Sequence, residues 1–142
     1  MANYDAIIRT NYFSVTDEER FRAIMDCVVV GSDVDVFEET DDNGKKLFGF
    51  GCYGSIYGVA DTEEDEVDLD DLDSLFSALQ EVIDPNDAII VTEIGNEKLR
   101  YLVAVSTVIT KTEIQSVDAQ NAALELVRKL LDNPDYQTQM QY

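Results

Sequence analysis

The chain has no histidine and no tryptophan, and only two cysteines, two prolines and ten basic residues among its 142. Without histidine it lacks the side chain that most often serves as a general base or metal ligand near neutral pH. Cys27 and Cys52 stand far apart, with no close pair to begin a zinc site, and read as buried free thiols. Free thiols point to a reducing, cytoplasmic compartment. The longest apolar runs, Ala88–Val91 and Tyr101–Val105, are far shorter than the roughly 20 residues needed to span a bilayer. The N-terminus, Met-Ala-Asn-Tyr-Asp, shows no basic segment followed by an apolar one, so no membrane partner is expected. The shortage of bases excludes most: ten Lys+Arg against thirty Asp+Glu leave a net charge of −20. A chain with that balance repels a phosphate backbone, so direct nucleic-acid binding is not expected.

With 45% hydrophobic residues the chain is rich enough to build one core without disulfides or metal. Ile7 to Val15 reads as a strand. Thr16-Asp-Glu-Glu19 is a capping box ahead of Phe21, Ile24, Met25 and Val28, whose spacing marks a helix buried on one face. Val34–Glu39 and Lys46–Ile56 flank the turn Asp41-Asp-Asn-Gly44 and form a hairpin. A second helix carries Leu69, Leu72, Leu75, Phe76, Leu79, Val82 and Ile83 on its apolar side, and Asp84-Pro-Asn-Asp87 stops it. Ala88–Ile94 and Leu99–Thr110 form a second hairpin. Ser116 then caps a last helix through Leu131, with Ala123, Leu124, Val127, Leu130 and Leu131 facing inward.

The order βαββαββα predicts an α+β fold, an antiparallel sheet with helices packed on it. Its ferredoxin-like split βαβ core (βαββαβ) gains one additional strand and a C-terminal helix. One domain over residues 1–132 and a polar tail over 133–142 are expected. The sheet face opposite the helices is then either open or covered by the last helix.

Several motifs match chemistry only in part. Gly49-Phe-Gly-Cys-Tyr-Gly54 has the spacing of a dinucleotide loop, but it lies within an aromatic strand and precedes carboxylates instead of a helix. Lys46-Leu-Phe-Gly-Phe-Gly-Cys-Tyr53 resembles the RNP1 strand of RNA-recognition domains and falls on the third strand of the right topology. It departs from that pattern at Leu47 and Gly51, and Asn11, Phe13 and Val15 are only a loose counterpart of the second motif. Stacking on such rings works together with a positive groove, and this chain has the opposite charge. Alternate carboxylates at Asp61, Glu63 and Asp65 suit a hard cation, yet Glu66 and Leu72 occupy the positions where an EF-hand loop needs glycine and a bidentate glutamate. With no organised metal loop, nucleotide loop or histidine, neither a cofactor nor catalysis is expected.

The distinctive feature is the run Asp61, Glu63, Glu64, Asp65, Glu66, Asp68, Asp70, Asp71 and Asp73, nine acids in thirteen residues, inside a stretch from Leu47 to Glu97 with no base. Some of it serves the second helix, because carboxylates are favourable near a helix N-terminus. Acids three or four apart on a helix also lie about 5–6 Å apart, a spacing comparable with successive phosphates. Carboxylates so placed can occupy a groove that a basic protein keeps for DNA or RNA.

Arg9-Thr-Asn-Tyr-Phe-Ser-Val15, Asp17-Glu-Glu-Arg-Phe21 and Phe48-Gly-Phe-Gly-Cys-Tyr-Gly54 resemble segments of small proteins carried by phages and conjugative elements of Gram-positive bacteria. The likeness spans about the first sixty residues and brings no catalytic motif. In size and acidity the chain is similar to anti-CRISPR and antirestriction proteins, several of which imitate DNA. The resemblance implies a non-enzymatic acidic inhibitor whose partner is a basic nucleic-acid-binding protein, a host defence nuclease complex. The partner-binding residues are then those of the acidic run, extended by Glu38, Glu39, Asp41 and Asp42. The alternative is a ferredoxin-like interaction or self-assembly module, a homodimer joined through an apolar sheet surface of Phe13, Phe48, Phe50 and Tyr53.

Overall fold

The computed structural model describes residues 5–30, 34–54, 56–59, 72–99 and 101–139. Among the described residues, eight strands and three helices follow one another as β1 (Asp5–Thr10), α1 (Glu18–Asp26), β2 (Val28–Val30), β3 (Asp35–Thr40), β4 (Lys46–Tyr53), β5 (Ile56–Val59), α2 (Leu72–Val82), β6 (Ile89–Glu97), β7 (Tyr101–Ile109), β8 (Ile114–Asp118) and α3 (Ala119–Leu130). Six of the strands form one antiparallel sheet in the order β3-β4-β1-β6-β7-β8. The connection through α1 leaves β3 parallel to β1 with β4 between them, and that through α2 leaves β6 parallel to β4 with β1 between them. This is the split βαβ arrangement of a ferredoxin-like α+β fold. Its additions are larger than one strand: β7 and β8 both extend the sheet beyond β6, and β2 pairs with β5 in a separate two-stranded ribbon.

Alternation sets the two faces of the sheet. Ala6, Ile8 and Thr10 of β1 are buried beneath the helices, while Asp5, Ile7 and Arg9 point the other way. Phe48, Phe50 and Cys52 of β4 and Ile89 and Val91 of β6 join the buried side. They meet Phe21, Ile24 and Met25 of α1, and Leu75, Phe76, Leu79 and Val82 of α2. Phe13 sits at the centre of this core, edge-on to Phe21 at 5.6 Å and to Phe50 at 6.4 Å between ring centroids, geometry that aromatic quadrupoles favour.

The first strand is shorter than its apolar pattern implies. Regular pairing ends at Thr10, because a bulge follows: Arg9 opposes Gly51 and Phe13 opposes Phe48, so four steps along one chain match three along the other. Side chains replace the interrupted ladder. The Thr10 hydroxyl accepts from the Phe50 N–H at 3.0 Å. The Asn11 amide accepts from the Ile90 N–H at 2.8 Å and donates to the Ala88 carbonyl at 3.0 Å.

Helix starts differ from the expected ones by a residue or two. Asp17 caps α1, accepting from the Arg20 N–H, and the Thr16 hydroxyl instead donates to the Val82 carbonyl. The last helix begins at its cap Asp118, not at Ser116, because Ile114–Asp118 pair with β7. The inward face expected for that helix is not formed: Ala123, Leu130 and Leu131 are exposed, Leu124 and Val127 half-buried, and no residue of α3 is buried. The helix touches β7 and β8 at the β8 edge of the sheet and adds no residue to the core formed with α1 and α2. Beyond it, the Tyr136 carbonyl accepts from Arg128, so the start of the tail folds back on α3.

Asp84 ties three segments together. Its carboxylate accepts from the Asn86 N–H, the Lys45 ammonium at 2.9 Å and the Ser14 hydroxyl. The Asn86 N–H first, then Lys45 and Ser14, hold this carboxyl below its ordinary value. A lowered folded-state pKa contributes stability above the ordinary carboxylate range, and that contribution is lost as pH falls through the folded value. The difference in urea midpoint between wild type and Asp84→Asn is therefore expected to be greatest near neutral pH and to close on acidification.

Candidate functional site

The acidic run lies almost entirely outside the described residues. Asp61, Glu63, Glu64, Asp65, Glu66, Asp68, Asp70 and Asp71 are not among them, and only the backbone of Asp73 is placed, in the first turn of α2. The proposed extension of the run divides. Glu38 is bridged at 3.0 Å to Arg22 and at 3.4 Å to Lys46. Asp41 accepts from the Asn43 and Lys45 N–H groups and closes the β3–β4 turn. Glu39 and Asp42 are exposed.

Five of the bases are paired with the chain's own acids. Arg20 meets Glu81, Arg22 meets Glu18 and Glu38, Lys45 meets Asp84, Lys46 meets Glu18 and Glu38, and Arg128 meets Glu125. Arg22 and Lys46 hold the Glu18 carboxyl below its ordinary value. Arg22 also lies 5.3 Å over the Phe48 ring, so this ion-pair cluster covers part of the core where β3, β4 and α1 meet.

The apolar interface expected at Phe13, Phe48 and Phe50 is not formed. All three rings belong to the core, with at most 2% exposure, because the residues that β4 turns away from the helices are Leu47, Gly49, Gly51 and Tyr53. The bulge brings Phe13 inward in the same way. For the same reason the RNP1-like segment builds no stacking platform: its glycines occupy the open face and its phenylalanines the closed one. Tyr53 is exposed, at 72%.

That open face carries its own apolar surface. Register places Tyr53, Ile7, Ile94 and Ala104 side by side across four strands. The next row runs Gly51, Arg9, Thr92, Ser106 and Val117, and beyond it lie Ile90, Val108 and Gln115. Ile7, Ile90, Ile94, Leu102 and Val117 are exposed there together with Tyr53. A shallow hollow of about 430 Å³ opens between Asp5, Ile7, Tyr53, Ile94 and Asn96. Gly51 lets the Phe37 ring fold over the sheet, and the Arg9 guanidinium stacks 4.4 Å above that ring. Alternation along β1 and β6 could have revealed Ile7 and Ile94; the expected patch instead joined Phe48 and Phe50 to Tyr53, although alternation along β4 puts them on opposite faces, and the bulge sends Phe13 to the side of Phe48 and Phe50.

On the helix side a cleft of about 220 Å³ lies between Phe76 and the inward residues Val91, Val103, Val105 and Thr107, with Glu93 as its charged side chain. Among the described residues, no three His, Cys, Asp or Glu side chains are grouped to hold a metal ion. No described helix is long and apolar enough to cross a membrane. Comparison of the chain with protein-family models, curated proteins and solved structures finds no match.

Both cysteines are unpaired, Cys27 half-buried and Cys52 buried. Burial first, and then the charges of Glu93 and Asp35, push the Cys52 thiol up, away from the reactive thiolate. In a thiol titration of the native protein Cys27 is expected to react first, and Cys52 only after denaturation. A Cβ at Gly51 would come within 2.8 Å of the Ile8 carbonyl, a backbone atom that cannot swing aside. Gly51→Ala is expected to destabilise by about 1–3 kcal/mol in urea unfolding.

Proposed function

We propose that the chain is a non-enzymatic acidic inhibitor. Its carboxylate surface, centred on Asp61 to Asp73, occupies the nucleic-acid-binding surface of a basic partner, a defence nuclease complex of the kind targeted by antirestriction and anti-CRISPR proteins. The observation that carries this reading is the net charge of −20, with nine of thirty acids gathered in thirteen residues. Such a concentration repels itself in the free protein, and a cationic groove relieves that repulsion on binding. The pairing of Arg20, Arg22, Lys45, Lys46 and Arg128 with local carboxylates supports it further, since these cations are turned to internal partners. Asp73 anchors the end of the run to α2, and hence to the packed frame.

The test is a low-salt pull-down against purified nuclease effectors, followed by inhibition of their cleavage. Capture of a basic nuclease is expected, with inhibition weakened at least about tenfold when Glu63, Glu64, Asp65 and Glu66 are all changed to lysine. Absence of any basic partner, or inhibition unchanged by that reversal, overturns the reading.

A further inference from the structure

We propose that the open face of the six-stranded sheet is the contact between two copies of this chain, packed face to face about a two-fold axis that passes close to Ile7. The inference is independent of the acidic run. Across β4, β1, β6, β7 and β8, three rows of this face, from Tyr53 through Ile7, Ile94 and Ala104 to Gln115, contain no carboxylate, in a chain where thirty residues of 142 are acidic; the acids in register with them are at the border, Asp35 of β3 beside Gly51 and Asp5 of β1. Two bodies of charge −20 repel wherever their acidic surfaces meet, and contact through rows without carboxylates costs less than contact through acidic ones.

The charges that border Ile7 are self-complementary. Asp5 and Arg9 lie on the same face of β1, two residues to either side of Ile7. In an isologous contact with the two β1 strands antiparallel, Asp5 of one copy lies across from Arg9 of the other, and the reverse pair forms by symmetry. Stacked sheets stand about 10 Å apart at roughly −30°, within reach of the arginine side chain. Phe37, beneath Arg9 at 4.4 Å, holds that guanidinium above the sheet.

The area is also adequate. The exposed parts of Ile7, Tyr53, Ile90, Ile94, Leu102 and Val117 amount to about 600 Å², at the upper end of what an ordinary monomer leaves uncovered. With its polar rim the face approaches the roughly 800 Å² per partner of a standard interface. The exposed leucines of α3, Leu126, Leu130 and Leu131, offer only about 300 Å² and fall short of that size.

Sedimentation velocity of the full chain across a concentration series, at about 0.15 M salt to screen the net charge, tests the proposal. A concentration-dependent dimer is expected. Ile94→Asp should make it monomeric with its circular dichroism and melting temperature retained, whereas Leu130→Asp should leave the dimer intact. Arg9→Asp and Asp5→Arg should each weaken self-association, and mixing these two variants should restore a dimer containing one copy of each. A monomer up to about 100 μM, a dimer that survives Ile94→Asp, or one lost with Leu130→Asp overturns the proposal. So does failure of the charge-swapped variants to pair with each other. Dimerisation that persists when Glu63, Glu64, Asp65 and Glu66 are reversed to lysine separates this contact from the inhibitory surface.

Discussion

One extra residue between Thr10 and Phe13 determines how the rest of the domain is assembled. A strand continued without interruption would place Phe13 on the face opposite Thr10, since side chains alternate. The bulge cancels that alternation once, so Phe13 turns inward and meets the rings of Phe21 and Phe50. It is tolerated because each interrupted backbone group finds a substitute: the Thr10 hydroxyl serves Phe50, and the Asn11 amide serves both Ile90 and Ala88. Asn11 and Thr10 thus hold β4 and β6 on either side of a strand that no longer pairs regularly with them. Past the bulge, Val15 bridges Ile83, and Ser14 is held by Asp84 and Asp87, which locks the end of α2 to the sheet.

The same alternation divides the protein's surface chemistry. Phe48 and Phe50 of β4 and Phe13 beyond the bulge go to the helix side, leaving glycine, isoleucine and Tyr53 to the open side. Polar charge collects at the perimeter, where Arg22, Lys46, Glu18 and Glu38 form a shared network over Phe48. Solvent-exposed pairs of this kind contribute about 0–1 kcal/mol each, so they organise the edge more than they stabilise the core. The proposed roles use different parts of this division. Charge repulsion between copies follows from the acids, as does the proposed attraction to a basic partner, while the carboxylate-free centre of the sheet is the proposed meeting place of two copies.

Much of the architecture was legible from local pattern. The 3–4 spacing of Phe21, Ile24 and Met25, the alternation on either side of Gly44 and the stop at Pro85 are local signals, and α1, α2 and the first hairpin lie where these signals put them; the second hairpin forms too, but Gly95 pairs with Val103 inside β6 and the chain turns at Lys98 and Leu99 instead. The order of elements led to the split βαβ core because few topologies accommodate it. Legibility ended where local pattern is degenerate. Ile114–Asp118 is short and polar, and only its pairing with Thr107 and Ile109 makes it a strand. The leucines of α3 have helical spacing whether or not anything covers them, so their pattern could not reveal that α3 buries no residue.

Composition and spacing by themselves determined the net charge, the concentration of acids before α2, the lack of histidine-based chemistry and the helices and strands of the split βαβ core, but not β2, β5 or β8. These depend on residues near one another in the chain. Tertiary structure alone decided that Phe13 faces the helices, because a one-residue bulge reverses the facing of the first strand beyond Thr10 and leaves no mark in hydrophobic periodicity. It also decided that Asp5, Ile7, Arg9, Tyr53 and Ile94 share one surface. Strands distant in sequence are aligned there by register, a property that belongs to the pairing and not to any single segment.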